Sequence, residues 1–178
     1  MIENTKIEIP LSKVKMIFLI LGSILFVALC IFILMNAENM QTRKINDPWI
    51  IRIIALAGLL FFGVILVSIF KKMFSKEPGL TIDNDGIYDN SSGVSVGRIK
   101  WKDIIGIRKV KVSGTKFMLI DVHNPDEYIN NINGFIKKQA MKANMKKYGT
   151  PISISPAGLK INFKKLEGIL LSELQKNR

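Results

Sequence analysis

The chain has 178 residues, of which 48% are hydrophobic and 22% are charged, and its formal net charge is +12. A chain of this length accommodates one ordinary domain with additional segments. So high an apolar content beside so many charges is expected only where the apolar residues are segregated along the chain. A single cysteine, Cys30, excludes an internal disulfide and a cysteine metal cluster.

The apolar residues concentrate in two uncharged runs, residues 16–37 and 53–70, of 22 and 18 residues. Twenty-two helical residues cover about 33 Å, enough for a hydrocarbon core of roughly 30 Å. The first run is apolar all round, unlike a helix on a soluble protein, and is too long for the core of a signal peptide. We therefore expect two transmembrane helices, at about residues 14–36 and 49–70.

Charges beside these runs predict their orientation. Lysines flank the outer ends, and the loop at residues 38–48 carries fewer basic residues. The flanking residues are Lys13, Lys15, Lys71, Lys72 and Lys76, and those of the loop are Arg43 and Lys44. This excess predicts a multi-pass protein of the inner (plasma) membrane with both termini in the cytoplasm. Because no charge lies in the middle of either run, we expect no transport path through this hairpin alone.

Strand patterns begin directly after the second run, where residues 77–79 read Glu-Pro-Gly. Apolar and polar residues alternate, and residues 84–86 read Asn-Asp-Gly, which is typical of a hairpin turn. The predicted strands are residues 80–83, 87–89, 96–101, 105–112, 116–122 and 151–154, with a further one possible at 159–161. The domain boundaries predicted are residues 1–76, for a polar tail and the two spans, and 77–178.

Two helices are predicted in this second part. Asn124 and Pro125 begin the first, which continues to about residue 147. Its predicted apolar stripe consists of Ile129, Ile132, Ile136, Ala140 and Ala143. The second helix covers residues 163–176, with Asn162 as its N-cap and with Phe163, Leu166, Leu170 and Leu174 on one face.

Three segments resemble a known family: "GLTIDNDGIYD" (79–89), "GRIKWKDIIGI" (97–107) and "NFKKLEGILLSEL" (162–174). The chain resembles small, largely uncharacterised bacterial membrane proteins with two spans and a cytoplasmic pleckstrin-homology (PH)-like domain. The resemblance implies an α+β fold: a transmembrane hairpin, then a bent antiparallel sheet or partly open barrel with an inserted helix and a C-terminal capping helix. It also implies binding of lipids, peptides or proteins rather than catalysis. Because the first hairpin turn is acidic at Asp83 and Asp85, recognition of inositol phosphates is not carried over.

Candidate catalytic and metal-binding residues are few. His123, the only histidine, lies near Asp121 and Asp126, and a local structural role is expected for it. A calcium loop starting at Thr81 fails, because its twelfth position is Ser92 rather than a glutamate. We therefore predict no catalytic residues, no metal site and no cofactor.

Basic residues are the strongest functional indication. From residue 77 onward, 17 lysines and arginines face 10 acidic residues. The candidate contacts to lipid head groups are Lys71, Lys72, Arg98, Lys100, Lys102, Lys138, Lys142 and Lys146. The alternative to lipid contact is that these basic residues form a solvated surface that binds no ligand. Nucleic-acid binding is not expected, since no aromatic stacking residues accompany the lysines.

Two functions follow as hypotheses. In the first, a non-enzymatic membrane protein tethers a PH-like domain at the inner leaflet, where the domain binds a protein partner or lipid head groups. In the second, the protein is a structural or assembly subunit of a membrane complex and acts mainly through its hairpin. Small residues in the spans, such as Gly22, Ala57 and Gly63, are compatible with oligomers or with other close helix contacts.

Overall fold

The computed structural model describes residues 6–40 and 47–177. These residues form two compact units: a helical unit from Lys13 to Ser75, and a sheet unit that joins the residues up to Ser12 to those from Lys76 onward. The predicted α+β class is confirmed, since two apolar helices near the N-terminus precede antiparallel sheets. The loop residues Arg43 and Lys44, on which part of the predicted orientation rests, lie outside the described residues.

The helical unit consists of α1 (Lys13–Met35, 23 residues) and α2 (Pro48–Met73, 26 residues). At 1.5 Å per residue these helices are about 35 and 39 Å long. Many of their large apolar side chains are exposed, with Phe18 at 71% and Leu60 at 64%. Both helices are therefore long and apolar enough to cross a membrane.

One narrow stripe joins the two helices. On α1 the buried residues Met16, Ser23 and Cys30 are seven apart, which keeps them on one face. On α2, a Cβ added at Gly58 would lie 2.9 Å from Cys30 Sγ, so only glycine allows the helices to approach this closely without a shift there. The rings of Phe26 and Phe62 stack with centroids 4.4 Å apart. The helices thus run antiparallel.

The sheet unit contains two antiparallel sheets. The first has the order β1-β2-β3-β4, with β1 at Ile7–Ile9, β2 at Leu80–Asp83, β3 at Gly86–Asp89 and β4 at Gly97–Lys100. The second has the order β5-β6-β7, with β5 at Ile104–Val112, β6 at Thr115–Val122 and β7 at Ile152–Ile154. A short 3₁₀ turn, Trp101–Asp103, connects the sheets, and the hydrophobic core contains residues from both.

Strand β1 precedes the helical hairpin but pairs with β2, which follows it. Ile7 lies opposite Ile82, and Ile9 lies opposite Leu80. The attachment continues beyond the strand, because the Ser12 N–H donates to the carbonyl of Gly158 (2.8 Å). The polar tail predicted for the first residues is therefore in part a strand of the sheet unit, and the hairpin is inserted between the first two strands.

The single helix predicted from residue 125 to about 147 is two helices, α3 (Pro125–Asn131) and α4 (Phe135–Tyr148). The break falls at Gly134, whose φ of 105° is a left-handed conformation that favours glycine. Past the break, the predicted apolar stripe is wrong. Ile136 is 69% exposed, and Met141 is the buried residue of α4.

The C-terminal helix α5 (Phe163–Lys176) confirms the prediction for residues 163–176. Its N-cap is Asn162, whose side-chain oxygen accepts from the Lys165 N–H (2.9 Å). Leu166, Leu170 and Leu174 are buried and belong to the core that the sheets share. This face packs against the core and helps to close it.

Candidate functional site

The eight predicted cationic contacts lie on three separate elements and one turn. Lys71 and Lys72 are in the last turn of α2. Arg98 and Lys100 are on β4, Lys102 is in the 3₁₀ turn, and Lys138, Lys142 and Lys146 are on α4. The structure therefore does not gather all eight into one pocket.

On β4 the alternation predicted from the sequence holds for Arg98 and Lys100, which are exposed on either side of the buried Ile99. Lys102 is exposed as well, but it lies in the 3₁₀ turn, because the strand ends at Lys100. Trp101, expected on the same face as Ile99, is buried as Ile99 is, and its indole N–H donates to the Asp83 carbonyl (2.8 Å).

Arg98 is engaged within the fold. Its guanidinium forms an ion pair with Asp83 (2.6 Å) and lies over the Tyr88 ring at 5.7 Å from the centroid. Partial burial acts to raise the pKa of Asp83, but the hydrogen bond and charge of Arg98 outweigh it and hold that pKa below its ordinary value. The charge of Arg98 is therefore partly neutralised within the fold.

An open cleft of about 210 Å³ lies between β4 and α3. Its lining carries charges of both signs, from Arg98, Lys100, Asp103 and Glu127. Within it the Tyr128 hydroxyl donates to Asp103 Oδ2 (2.8 Å). Burial, together with this carboxylate, raises the pKa of Tyr128 well above its ordinary value. The tyrosine therefore stays protonated and links α3 to the 3₁₀ turn.

His123 is exposed and directly follows β6. Its backbone N–H donates to the Asp103 carbonyl (2.9 Å). Among residues 6–40 and 47–177, no group of three histidine, cysteine, aspartate or glutamate side chains is placed to hold a metal ion. This arrangement gives the histidine no neighbouring ligand set within the described part of the chain.

Helix α4 carries three of the predicted cations. Lys142 and Lys146 are exposed, whereas Lys138 is half-buried. In the part of the chain that the structure describes, Lys142 and Lys146 form no ion pair. Their charge is thus available to an external anion.

Sequence reasoning missed one feature of this helix. Phe135 and Ile136 at its first turn are 77% and 69% exposed. The signal was the segment Asn133-Gly134, a turn dipeptide inside an otherwise helical pattern, which indicates a break rather than a continuous stripe.

Comparisons of this chain with protein-family models, with curated proteins and with solved structures find no match. No relative therefore supplies a role for any residue.

Proposed function

We propose that this protein is a non-enzymatic integral membrane protein that holds a PH-like binding domain at the inner leaflet of the plasma membrane. One observation carries the proposal: a hairpin of two membrane-length apolar helices is inserted between two paired strands, β1 and β2. Because both ends of the hairpin enter one sheet, an anchor built in this way leaves the sheet unit on a single side of the bilayer.

The PH-like assignment is supported by the topology. A four-stranded and a three-stranded antiparallel sheet share one core, and a C-terminal helix packs against that core. This arrangement agrees with the bent sheet and capping helix that the sequence resemblance implies. Folds of this kind serve as binding modules, and the ligand that each one binds depends on the residues at its surface.

The cytoplasmic side is supported by charge. Lys71 and Lys72 end α2, and Lys13 and Lys15 begin α1, so the hairpin ends that enter the sheet unit are basic. An anionic inner leaflet attracts such residues by about 1 kcal/mol per cation near its surface. Lys142 and Lys146, which are exposed on α4, add to this attraction. Lipid head groups are therefore one ligand of the domain, and a protein partner is the other.

A second function is favoured by the free face of the hairpin. A Cβ added at Gly22 or at Gly63 would meet no atom within 4 Å, so these glycines are not used in the α1–α2 contact. Small residues on an open helix face permit close approach of another helix. In this alternative the protein is an assembly subunit that acts mainly through its transmembrane hairpin.

Replacing the hairpin separates the two functions. Residues 13–75 are exchanged for an unrelated two-span hairpin, while residues 1–12 and 76–178 are kept so that β1 can still pair with β2. Crosslinking in native membranes then identifies the bound partners. Retention of the wild-type partners is expected for a binding domain, whereas their loss would favour the assembly subunit.

A further inference from the structure

Phe135 and Ile136 are the most exposed large apolar residues in the described part of the sheet unit. They are 77% and 69% exposed, against 49% for Ile105 and 39% for Leu171. Leaving such large apolar side chains in water is unfavourable, because their burial would remove apolar surface from water. Two adjacent side chains exposed to this extent form an apolar patch, and such patches mark interaction sites on protein surfaces.

The fold holds these two residues outward. Gly134, at a φ of 105°, turns the chain between α3 and α4, and α4 then packs through Met141, which is 2% exposed. Successive helical residues are separated by about 100°, which places Phe135 about 120° and Ile136 about 140° away from Met141. Neither side chain can reach the core without unwinding the first turn of α4.

The same outward face carries lysines. Lys142 and Lys146 follow Phe135 by seven and eleven residues. These spacings return to within about 20° of the same direction on a helix. The face is therefore apolar at its first turn and cationic along its last two turns, a pattern that complements an anionic bilayer, whose acyl chains lie beneath a layer of phosphates.

The N-terminal half of α4 lies near the part of the sheet unit where the chain enters from α2. Ala140 and Met141 line a small pocket together with Asp89 and Val94. Asp89 lies opposite Leu80, the first residue of β2. Residues 74–79, which separate α2 from β2, reach at most about 21 Å. This end of the sheet unit is therefore the one to which residues 74–79 connect.

We propose that the outward face of α4 docks on the bilayer surface, with Phe135 and Ile136 inserted among the lipids and with Lys142 and Lys146 on anionic phosphates. This inference rests on the proposed membrane function and adds the surface by which the domain lies on the leaflet. Its occupant is anionic lipid rather than a protein.

The test uses the full-length chain in nanodiscs, with Cys30→Ser as background. A polarity-sensitive dye is attached at Phe135→Cys and, as the matched control, at Leu171→Cys, an exposed apolar position on α5. Nitroxide groups on the lipid acyl chains act as quenchers. At position 135 we expect a blue shift of the emission and strong quenching in anionic nanodiscs, both weaker in neutral ones. At position 171 we expect neither.

Two results would overturn the inference. In the first, the emission of the dye at position 135 remains that of a dye in water. In the second, the emission shifts to the blue without quenching by the lipid nitroxides, which would indicate that a protein surface and not lipid surrounds the dye. Incorporation into nanodiscs reports the proposed function separately. If the chain incorporates but the dye at position 135 is not quenched, only the proposed docking surface is contradicted. If the chain fails to incorporate, the proposed membrane function itself is contradicted.

Discussion

At the residue scale, the acidic residue Asp83, which spoke against an inositol-phosphate site, stabilises the first hairpin turn. Asp83 Oδ1 accepts from the backbone N–H groups of Asp85 (3.1 Å) and Gly86 (3.2 Å), and it also pairs with Arg98. The sequence predicted the turn because Asn, Asp and Gly are turn residues. It could not predict the ion pair, because that contact reaches from β2 across β3 to β4 and depends on the registers of both strand pairs.

Two substitutions of Asp83 separate its roles. Asp83→Asn keeps an oxygen for the turn and loses the charge, so we expect a loss of at most about 1 kcal/mol in the free energy of unfolding. Asp83→Ala loses both the oxygen and the charge, so it should lower the free energy of unfolding by about 1–2 kcal/mol more than Asp83→Asn does. The measurement is urea unfolding of the full-length protein in detergent. Unfolding is monitored by the fluorescence of Trp101 in a Trp49→Phe background.

The same substitution has a pH signature. Because the pKa of Asp83 is lowered in the folded state, its contribution to stability is present above the ordinary value of 3.8 and is lost as the pH falls through the folded-state value. The difference between wild type and Asp83→Asn should therefore shrink in acid. A difference that grows as the pH falls would contradict the assignment.

Gly86 provides a sharper test of the turn. Its φ is 149°, and an added Cβ would lie 2.0 Å from the Ile99 carbonyl oxygen. Because that neighbour is backbone, Gly86→Ala should lower the free energy of unfolding by about 3 kcal/mol or more. Gly93→Ala is the matched control, since a Cβ there meets nothing within 4 Å. Equal effects of the two substitutions would show that the described turn is not the one formed in solution.

At the element scale, the sequence predicted those elements whose signals are local. The β5–β6 hairpin turns at Ser113 and Gly114, both at positive φ, where the sequence placed it. Helix α5 has the predicted N-cap, Asn162, and the predicted apolar face with Leu166, Leu170 and Leu174. The α3–α4 break was missed because isoleucines at helical spacing outweighed Gly134, and β1 was missed because three residues give almost no periodicity.

The link between α3 and the 3₁₀ turn is testable at this scale. Tyr128→Phe removes the hydroxyl that donates to Asp103 and should cost about 1–1.5 kcal/mol at neutral pH. The raised pKa of Tyr128 means that this stability is present below the ordinary tyrosine value of 10.0 and is lost at higher pH, where the unfolded tyrosine ionises. Urea unfolding at pH 7 and pH 10.5 measures both effects, and a difference that widens at the higher pH would argue against this link.

At the scale of the whole molecule, the insertion of the hairpin between β1 and β2 makes the first residues part of the domain. The sequence predicted the two apolar helices from length and hydropathy alone, because these properties of a segment do not depend on its contacts with the rest of the chain. It could not place β1, because that strand is defined by pairing with residues more than 70 positions later.

Ile9 reports on this insertion. It is 5% exposed and belongs to the core, so Ile9→Ala should lower the free energy of unfolding of the sheet unit by about 2–4 kcal/mol. Glu8→Ala is the control, because that side chain is exposed and its ion pair with Lys6 lies at the surface. A polar tail outside the fold would instead make both substitutions silent in the Trp101 unfolding curve.

The most direct measurement of the central claim is the sidedness of three cysteines. Each is introduced singly in a Cys30→Ser background, as Glu8→Cys, Asn39→Cys and Lys164→Cys, and is exposed to a membrane-impermeant maleimide in intact and in permeabilised cells. The account predicts that Asn39→Cys is labelled in intact cells and that the other two are labelled only after permeabilisation. Labelling of Glu8→Cys and Lys164→Cys on opposite sides, or recovery of the protein without detergent in the aqueous fraction, would contradict it.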